Sequence, residues 1–166
     1  MTEKPHRILD AAQMIMRECL CRRVQKAGRA IGQRFDEELR PIGLNNWQMT
    51  LLFSLSQQES PTIHGLADQL GMDRTTLTKN LKPLERRGLL ETHRDGSDAR
   101  IRRIVLSDTG MALLDEAVPY WQSANAAFAS ILRPEELATV RAALEALADV
   151  PSLIRRRISE SQPGDS

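Results

Sequence analysis

Two short helical segments follow one another closely in the middle of this chain. Thr62 is a good N-cap for residues 63–70, which stop at Gly71, and Asp73, another strong cap, opens a second segment at Arg74. Two short helices joined by Gly71-Met72-Asp73 carry the signature of a helix-turn-helix. After Gly88 the pattern changes: residues 89–94 and 101–106 flank Asp95-Gly96-Ser97-Asp98-Ala99-Arg100 and predict a β-hairpin with a polar, glycine-containing tip.

Helices are expected on both sides of this unit. Residues 8–40 read as one long helix, with Ile8, Ala12, Ile15, Cys19, Val24, Ala27, Ile31 and Phe35 recurring at three- to five-residue spacing until Pro41 and Gly43 end it. Asn45 caps a helix over residues 47–57 with Trp47, Leu51, Leu52 and Leu55 on its apolar face. Ser107-Asp108 opens a long helix to about residue 132, which Pro119 should kink. A last helix starts at Arg133-Pro134-Glu135-Glu136, and Leu137, Val140, Leu144 and Leu147 suit it to packing against another helix. The expected fold is therefore mainly α with a small β-hairpin wing. A winged helix-turn-helix lobe over residues 44–107 sits between N- and C-terminal helices (8–40 and 108–158), and all form one domain, residues 1–158, before a disordered polar tail, 159–166.

The helix after Asp73 divides into two faces. Leu77, Leu81 and Leu84 point inward, whereas Thr75, Lys79, Lys82 and Arg86 share another side, with Arg74, Thr76 and Thr78 at its amino-terminal end. Hydroxyls and cations so placed suit entry into a DNA major groove, where the first residues of a recognition helix reach base edges and phosphates; the plain alternative is a solvated charged face. Charge separates the two. The chain carries only +1 overall, yet residues 74–103 hold nine Lys or Arg, Arg102 among them, against four acids; this stretch is +5 and the remainder −4. Arg100 at the hairpin tip is placed to enter the adjacent minor groove, with Asp98 orienting it; as a bare turn pair it would contribute little.

Other chemistries find less support. There is no Gly-x-Ser-x-Gly, phosphate-cradling glycine loop or His-Glu-x-x-His pattern, so an enzyme is not expected. His6, His64 and His93 lack metal-ligand spacing, and neither metal nor cofactor is expected. Neither a signal peptide nor an apolar run long enough for a membrane is present, which points to the cytoplasm. Cys19 and Cys21, two apart on a helix, would face nearly opposite sides and not pair readily.

Asp98-Ala99-Arg100 followed by Ile104, Leu106 and Ser107-Asp108-Thr109-Gly110 resembles the wing signature of the MarR family. The likeness extends to Gly43-Leu44-Asn45-Asn46-Trp47-Gln48, Leu66-Ala67-Asp68-Gln69-Leu70-Gly71 and Leu84-Glu85-Arg86-Arg87-Gly88-Leu89, nearly the whole chain. It departs at Pro83, which should bend the recognition helix, and at Ser107, where Thr is commoner.

The resemblance implies a homodimeric repressor, with interlocking terminal helices and two lobes on a pseudo-palindromic double-stranded operator. Residues 74–82 would be the major-groove reader and Arg100 the minor-groove contact. It further implies release by a small aromatic or lipophilic acid in a crevice between the dimer helices and the lobe. Trp47, Phe53 and Trp121 are candidates for its lining or, equally, core residues. The alternative trigger is oxidation at Cys21, which falls where the organic-hydroperoxide-sensing branch carries its reactive thiol. That branch places tyrosine hydroxyls where this chain has Phe35 and Asn46, so a half-buried structural cysteine is the competing reading. A winged-helix protein-docking module remains the rival function, but it would expose an apolar stripe where this chain exposes Thr, Lys and Arg.

Overall fold

A computed structural model describes the backbone of residues 4–148 and the side chains of residues 7–148; the expected tail at 159–166 and the end of the C-terminal helical segment lie outside the described residues. The chain runs α1 (Lys4–Glu18), α2 (Leu20–Leu39), a 3-10 turn (Arg40–Ile42), α3 (Asn46–Ser56), α4 (Ile63–Gln69), α5 (Arg74–Arg86), β1 (Leu90–Arg94), β2 (Arg102–Leu106), α6 (Asp108–Ala129) and α7 (Pro134–Ala148). The strands pair antiparallel, with Leu90 opposite Leu106 and Arg94 opposite Arg102. The winged helix-turn-helix architecture is therefore as the sequence pattern implies, and the helix starts follow its caps. Asn45 accepts from the Gln48 amide, and the Gln48 side chain accepts in return from the Asn45 amide. Thr62, Asp73 and Ser107 each accept from the amide three residues on, satisfying donors that a bare helix start leaves open.

Leu39, Leu51, Leu52, Leu66, Leu77, Leu84, Leu90 and Ile104 are fully buried and make one core beneath the lobe. Helices α2 and α3 pack on α6, and α4 and α5 pack together against the hairpin. Truncating one of these side chains, Leu84→Ala for example, costs about 2–5 kcal/mol through lost transfer energy and the cavity left behind. Two close approaches fix the lobe to α6. The Ser107 hydroxyl donates to the Gly88 carbonyl at 2.6 Å while capping α6. Gly110, buried on the first turn of α6, lies so near the start of β1 that an added Cβ would sit 2.7 Å from Leu106 Cδ1 and 3.0 Å from the Leu89 carbonyl carbon.

The structure corrects several expectations. Residues 8–40 are two helices, because Cys19 takes an extended conformation (ψ 109°) and caps α2 instead of continuing α1. Long cations stabilise the break: the Arg22 guanidinium donates to the Met16 carbonyl at 3.3 Å and that of Arg23 to the Arg17 carbonyl, two acceptors near the carboxyl end of α1. With Cys19 off the helix, the argument that Cys19 and Cys21 face opposite sides loses its premise. Trp47 is not on the buried face of α3 but 54% exposed, and Met49 joins Leu51, Leu52 and Leu55 in the core instead. Ile101 precedes β2 because its amide and carbonyl bond within the tip, to the Asp98 carbonyl and the Asp95 amide. Helix α5 continues through Pro83 to Arg86, with Leu84 fully buried beyond the proline.

Candidate nucleic-acid interface

Helix α5 presents its cations because its leucines are committed. With Leu77, Leu81 and Leu84 buried, the 3.6-residue period turns Arg74, Thr75, Lys79 and Lys82 outward. Its amino-terminal hydroxyls are partly spent on the helix itself. Thr76 Oγ1 donates to Asp73 Oδ2 at 2.6 Å, and Thr78 Oγ1 donates to the Arg74 carbonyl at 2.8 Å. The Thr76 hydroxyl, ahead of the Thr76 amide, holds the Asp73 carboxyl below its ordinary range. Thr76 is thereby as much a capping residue as an exposed one.

The hairpin carries its cations up beside this helix. A groove of about 460 Å³ runs between α5 and the strands, with Arg74, Thr78 and Lys82 on one wall, Arg102 and Thr92 on the other and Glu85 at one end. A second depression of about 330 Å³ opens beside it, where Arg74, Arg100 and Arg102 meet Thr62 and His64. Of the residues expected at a DNA surface, Arg74, Thr78, Lys82, Arg100 and Arg102 are thus brought together, while Thr75, Thr76 and Lys79 stand on exposed α5 surface outside both grooves.

At the wing tip Asp98 grips Arg100 three ways. Its carboxylate accepts from the Arg100 amide at 2.9 Å, Nε at 3.1 Å and Nη2 at 3.2 Å. The guanidinium, followed by the Arg100 amide, holds the Asp98 carboxyl below its ordinary range. The Arg100 side chain is nevertheless 91% exposed, which leaves its outer face open to a partner.

The turn has a further layer that sequence reasoning missed. Asp95 accepts from the Ser97 hydroxyl, from the Ser97 and Asp98 amides at 2.8 and 3.1 Å, and from Arg103 Nε. Ser97 first and Arg103 second hold its carboxyl well below the usual carboxylate range. Arg103 Nη1 then donates to the Ser60 carbonyl at 2.8 Å, tying the wing to the loop between α3 and α4, where Ser60 has a left-handed φ of 58°. The Asx-turn spacing of Asp95 and Ser97 was a legible signal; the reach of Arg103 across 43 residues was not. His64 was also missed. Weighed only as a metal ligand, it lies on the first turn of the leading helix of the motif, 3.4 Å from Asp68 and beside Arg74. Arg87 is taken out of the interface, since its guanidinium donates to the Gly43 carbonyl at 2.6 Å.

A separate cavity of about 520 Å³ lies between α3 and α6. Met49, Thr50, Phe53, Ser54 and Gln57 form its α3 wall, Val118 and Trp121 face them from α6, and Gln69 closes the end toward α4. Phe53 and Trp121 both line it, and Trp47 does not. Cys21 is exposed on the first turn of α2, with Gln25 Nε2 3.3 Å from its sulfur, and not half-buried. Phe35 stacks on Phe128 with ring centroids 6.0 Å apart. The Asn46 amide donates to Asp36 at 2.7 Å. Among the described residues no group of three or more His, Cys, Asp or Glu is placed to hold a metal, and no helix is long and apolar enough to cross a membrane.

Known proteins match this geometry. The MarR family profile covers residues 44–101, from the α3 cap to the wing. The crystal structure of the M. tuberculosis transcriptional regulator MosR in complex with DNA superposes with a TM-score of 0.75 at 36% identity, over 83% of this chain and 99% of that one. The transcriptional regulator AdcR of Streptococcus pneumoniae serotype 2 is 36% identical over 75 residues, 45% of this chain; the match spans about half of AdcR, 51%. The organic hydroperoxide resistance transcriptional regulator of Bacillus subtilis is 29% identical over 99 residues, 60% of this chain and 67% of that protein. With the wing motif, the order of elements and a full-length MosR match in agreement, the chain belongs to the MarR family of winged helix-turn-helix transcription regulators.

Proposed function

We propose that this protein is a sequence-specific double-stranded DNA-binding regulator, acting as a homodimeric repressor that a small aromatic or lipophilic ligand releases from its operator. The observation that carries the DNA reading is the convergence of Arg74, Lys82, Arg100 and Arg102 on one face, from the recognition helix and from the hairpin that follows it. Phosphates reward such a surface, and the recognition helix beside it presents Thr75 and Lys79 to base edges. Asp98 orients Arg100 for the minor groove. The outward side of α5 offers no apolar stripe to a docking protein, which weighs against the interaction-module reading.

The homodimer reading rests on the terminal helices. In the single chain Ile8, Leu9, Ile15 and Met16 of α1 and Val140, Leu144 and Leu147 of α7 are exposed, and neither helix packs extensively against another element. A second copy would cover them and set two lobes about one DNA turn apart. Fluorescence anisotropy against the DNA upstream of the protein's own gene and a scrambled duplex, across a salt series, tests the proposal. A preference of about 10³-fold with affinity falling steeply in salt is expected; equal, weak binding to the two duplexes and to a genome-fragment library refutes it.

Oxidation at Cys21 is the second reading for the trigger, favoured by its exposure on the first turn of α2, just after the helix break. Modification there would act on the joint between α1 and α2. Peroxide should then release DNA from the wild type and not from Cys21→Ser.

A further inference from the structure

The cavity between α3 and α6 has no cation in its walls. Its polar groups are the Thr50 and Ser54 hydroxyls and the Gln57 and Gln69 amides; the remaining lining side chains are apolar or aromatic. Thr50 Oγ1 is engaged with the Asn46 carbonyl at 2.9 Å, which leaves its lone pairs as acceptors. Gln69 Oε1 accepts from the Gln58 amide, which leaves the Gln69 NH₂ as a donor. The sequence around these walls extends the pattern. Residues 41–73, which carry α3 and α4, and residues 104–132, which carry α6, contain no Lys or Arg at all. The same stretches hold Glu59, Asp68, Asp73, Asp108, Asp115 and Glu116. The 23 basic residues fall in the other stretches, nine within residues 4–40, nine within 74–103 and five beyond residue 132, and none of them lines the cavity.

A carboxylate entering here would give up water without gaining a cationic partner from the lining, between two stretches, 41–73 and 104–132, whose own fixed charges are negative. Burying an unpaired charge is far more costly than burying a hydrogen-bonded amide or hydroxyl. An ammonium gains from the surrounding acids, but none of them lines the cavity to accept its protons. Hydroxyls and amides do line it. From this the geometry points to an uncharged aromatic ligand, carrying amide, hydroxyl or carbonyl groups, as the occupant of the α3–α6 cavity, in place of the aromatic acid that the family resemblance implies. The proposal rests on the ligand-release reading and narrows it. Phe53 and Trp121 hold the rings, and Ser54, Gln57 and Gln69 meet the polar end.

Equilibrium dialysis of the full chain at pH 7.5 against three probes of one shape tests it: 2-naphthamide, 2-naphthoate and 2-naphthylmethylammonium. The amide is expected to bind at least tenfold more tightly than the carboxylate and at least threefold more tightly than the ammonium. Trp121→Ala should abolish that binding. Gln57 is exposed, so Gln57→Lys folds and supplies the missing cation; it should raise naphthoate affinity at least tenfold. Naphthoate equal to or tighter than naphthamide in the wild type overturns the charge argument and leaves ligand release standing. So does preference for the ammonium, in favour of the surrounding acids. No probe binding above the Trp121→Ala level overturns both this inference and the ligand reading beneath it.

Discussion

Gly110 offers the sharpest test of how the lobe is joined to α6. In Gly110→Ala the new methyl would lie 2.7 Å from Leu106 Cδ1 and 3.0 Å from the Leu89 carbonyl carbon, with the Leu89 oxygen closer still. Ordinary carbon contacts are about 3.5–4.0 Å, so α6 or β1 must retreat by roughly 1 Å. Such overpacking costs about 1–3 kcal/mol, and here the obstacle is backbone, so the upper end applies. Against it stands the gain of about 1 kcal/mol that alanine brings to a helix over glycine. The net is a loss of about 2 kcal/mol, or a fall in Tm of about 4–8 °C for a chain of this size. Gly28 supplies the control, because it lies within α2 and an added Cβ there meets nothing within 4 Å of it. Gly28→Ala should keep the propensity gain and stabilise by up to about 1 kcal/mol. The assay is guanidinium and thermal unfolding of the three proteins at one protein concentration. If Gly110→Ala stabilises as Gly28→Ala does, the contact between the first turn of α6 and the start of β1 is not as described.

Further expectations follow from the wing. Arg100→Ala should lower operator affinity by roughly 10- to 100-fold and reduce the salt slope by about one, with Tm unchanged because the side chain is exposed; equal affinity of the two proteins removes the wing from the interface. Asp95 is held well below the ordinary carboxylate range in the folded wing. Its contribution is therefore complete above the unfolded value of about 3.9 and is lost as pH falls below it toward the folded value; amide exchange in residues 95–103 should quicken selectively below about pH 4, and in Asp95→Asn already at pH 7. Arg103→Met should free the wing from Ser60, weakening DNA binding several-fold at unchanged secondary structure by circular dichroism. Sedimentation should give twice the chain mass, and Leu144→Glu should shift it toward the single chain.

Much of the lobe was legible because its signals are local. Asn45, Thr62, Asp73 and Ser107 each cap the helix they announce, since a short polar side chain and an amide three residues away are neighbours in any chain that starts a helix. The leucines of α5 likewise sorted its faces by period alone. The failures lie where no cap or period marks the outcome. The break at Cys19 follows no proline or glycine and is filled by the guanidinium groups of Arg22 and Arg23 turning back, while Trp47 yields its place in the core to Met49. At the interface, the basic segment was visible as a charge excess, and Asp98 beside Arg100 as a turn pair. That His64 and Arg102 share a depression with Arg100 depends on how α4 meets the hairpin.

The strap from Arg103 to Ser60 makes the wing tip an indicator needle for the end of α3. Asp95 pins the tip to Arg103, Arg103 pins it to Ser60, and the Ile104 amide donates to the Pro61 carbonyl at 3.0 Å, so the hairpin is clamped to the α3–α4 connection at two adjacent points. That connection begins at Gln57, in the cavity wall, and Gln58 within it bonds to Gln69, which closes the cavity. The cavity wall and the root of the wing that carries Arg100 are thereby joined by direct hydrogen bonds, through a linkage only a few residues long.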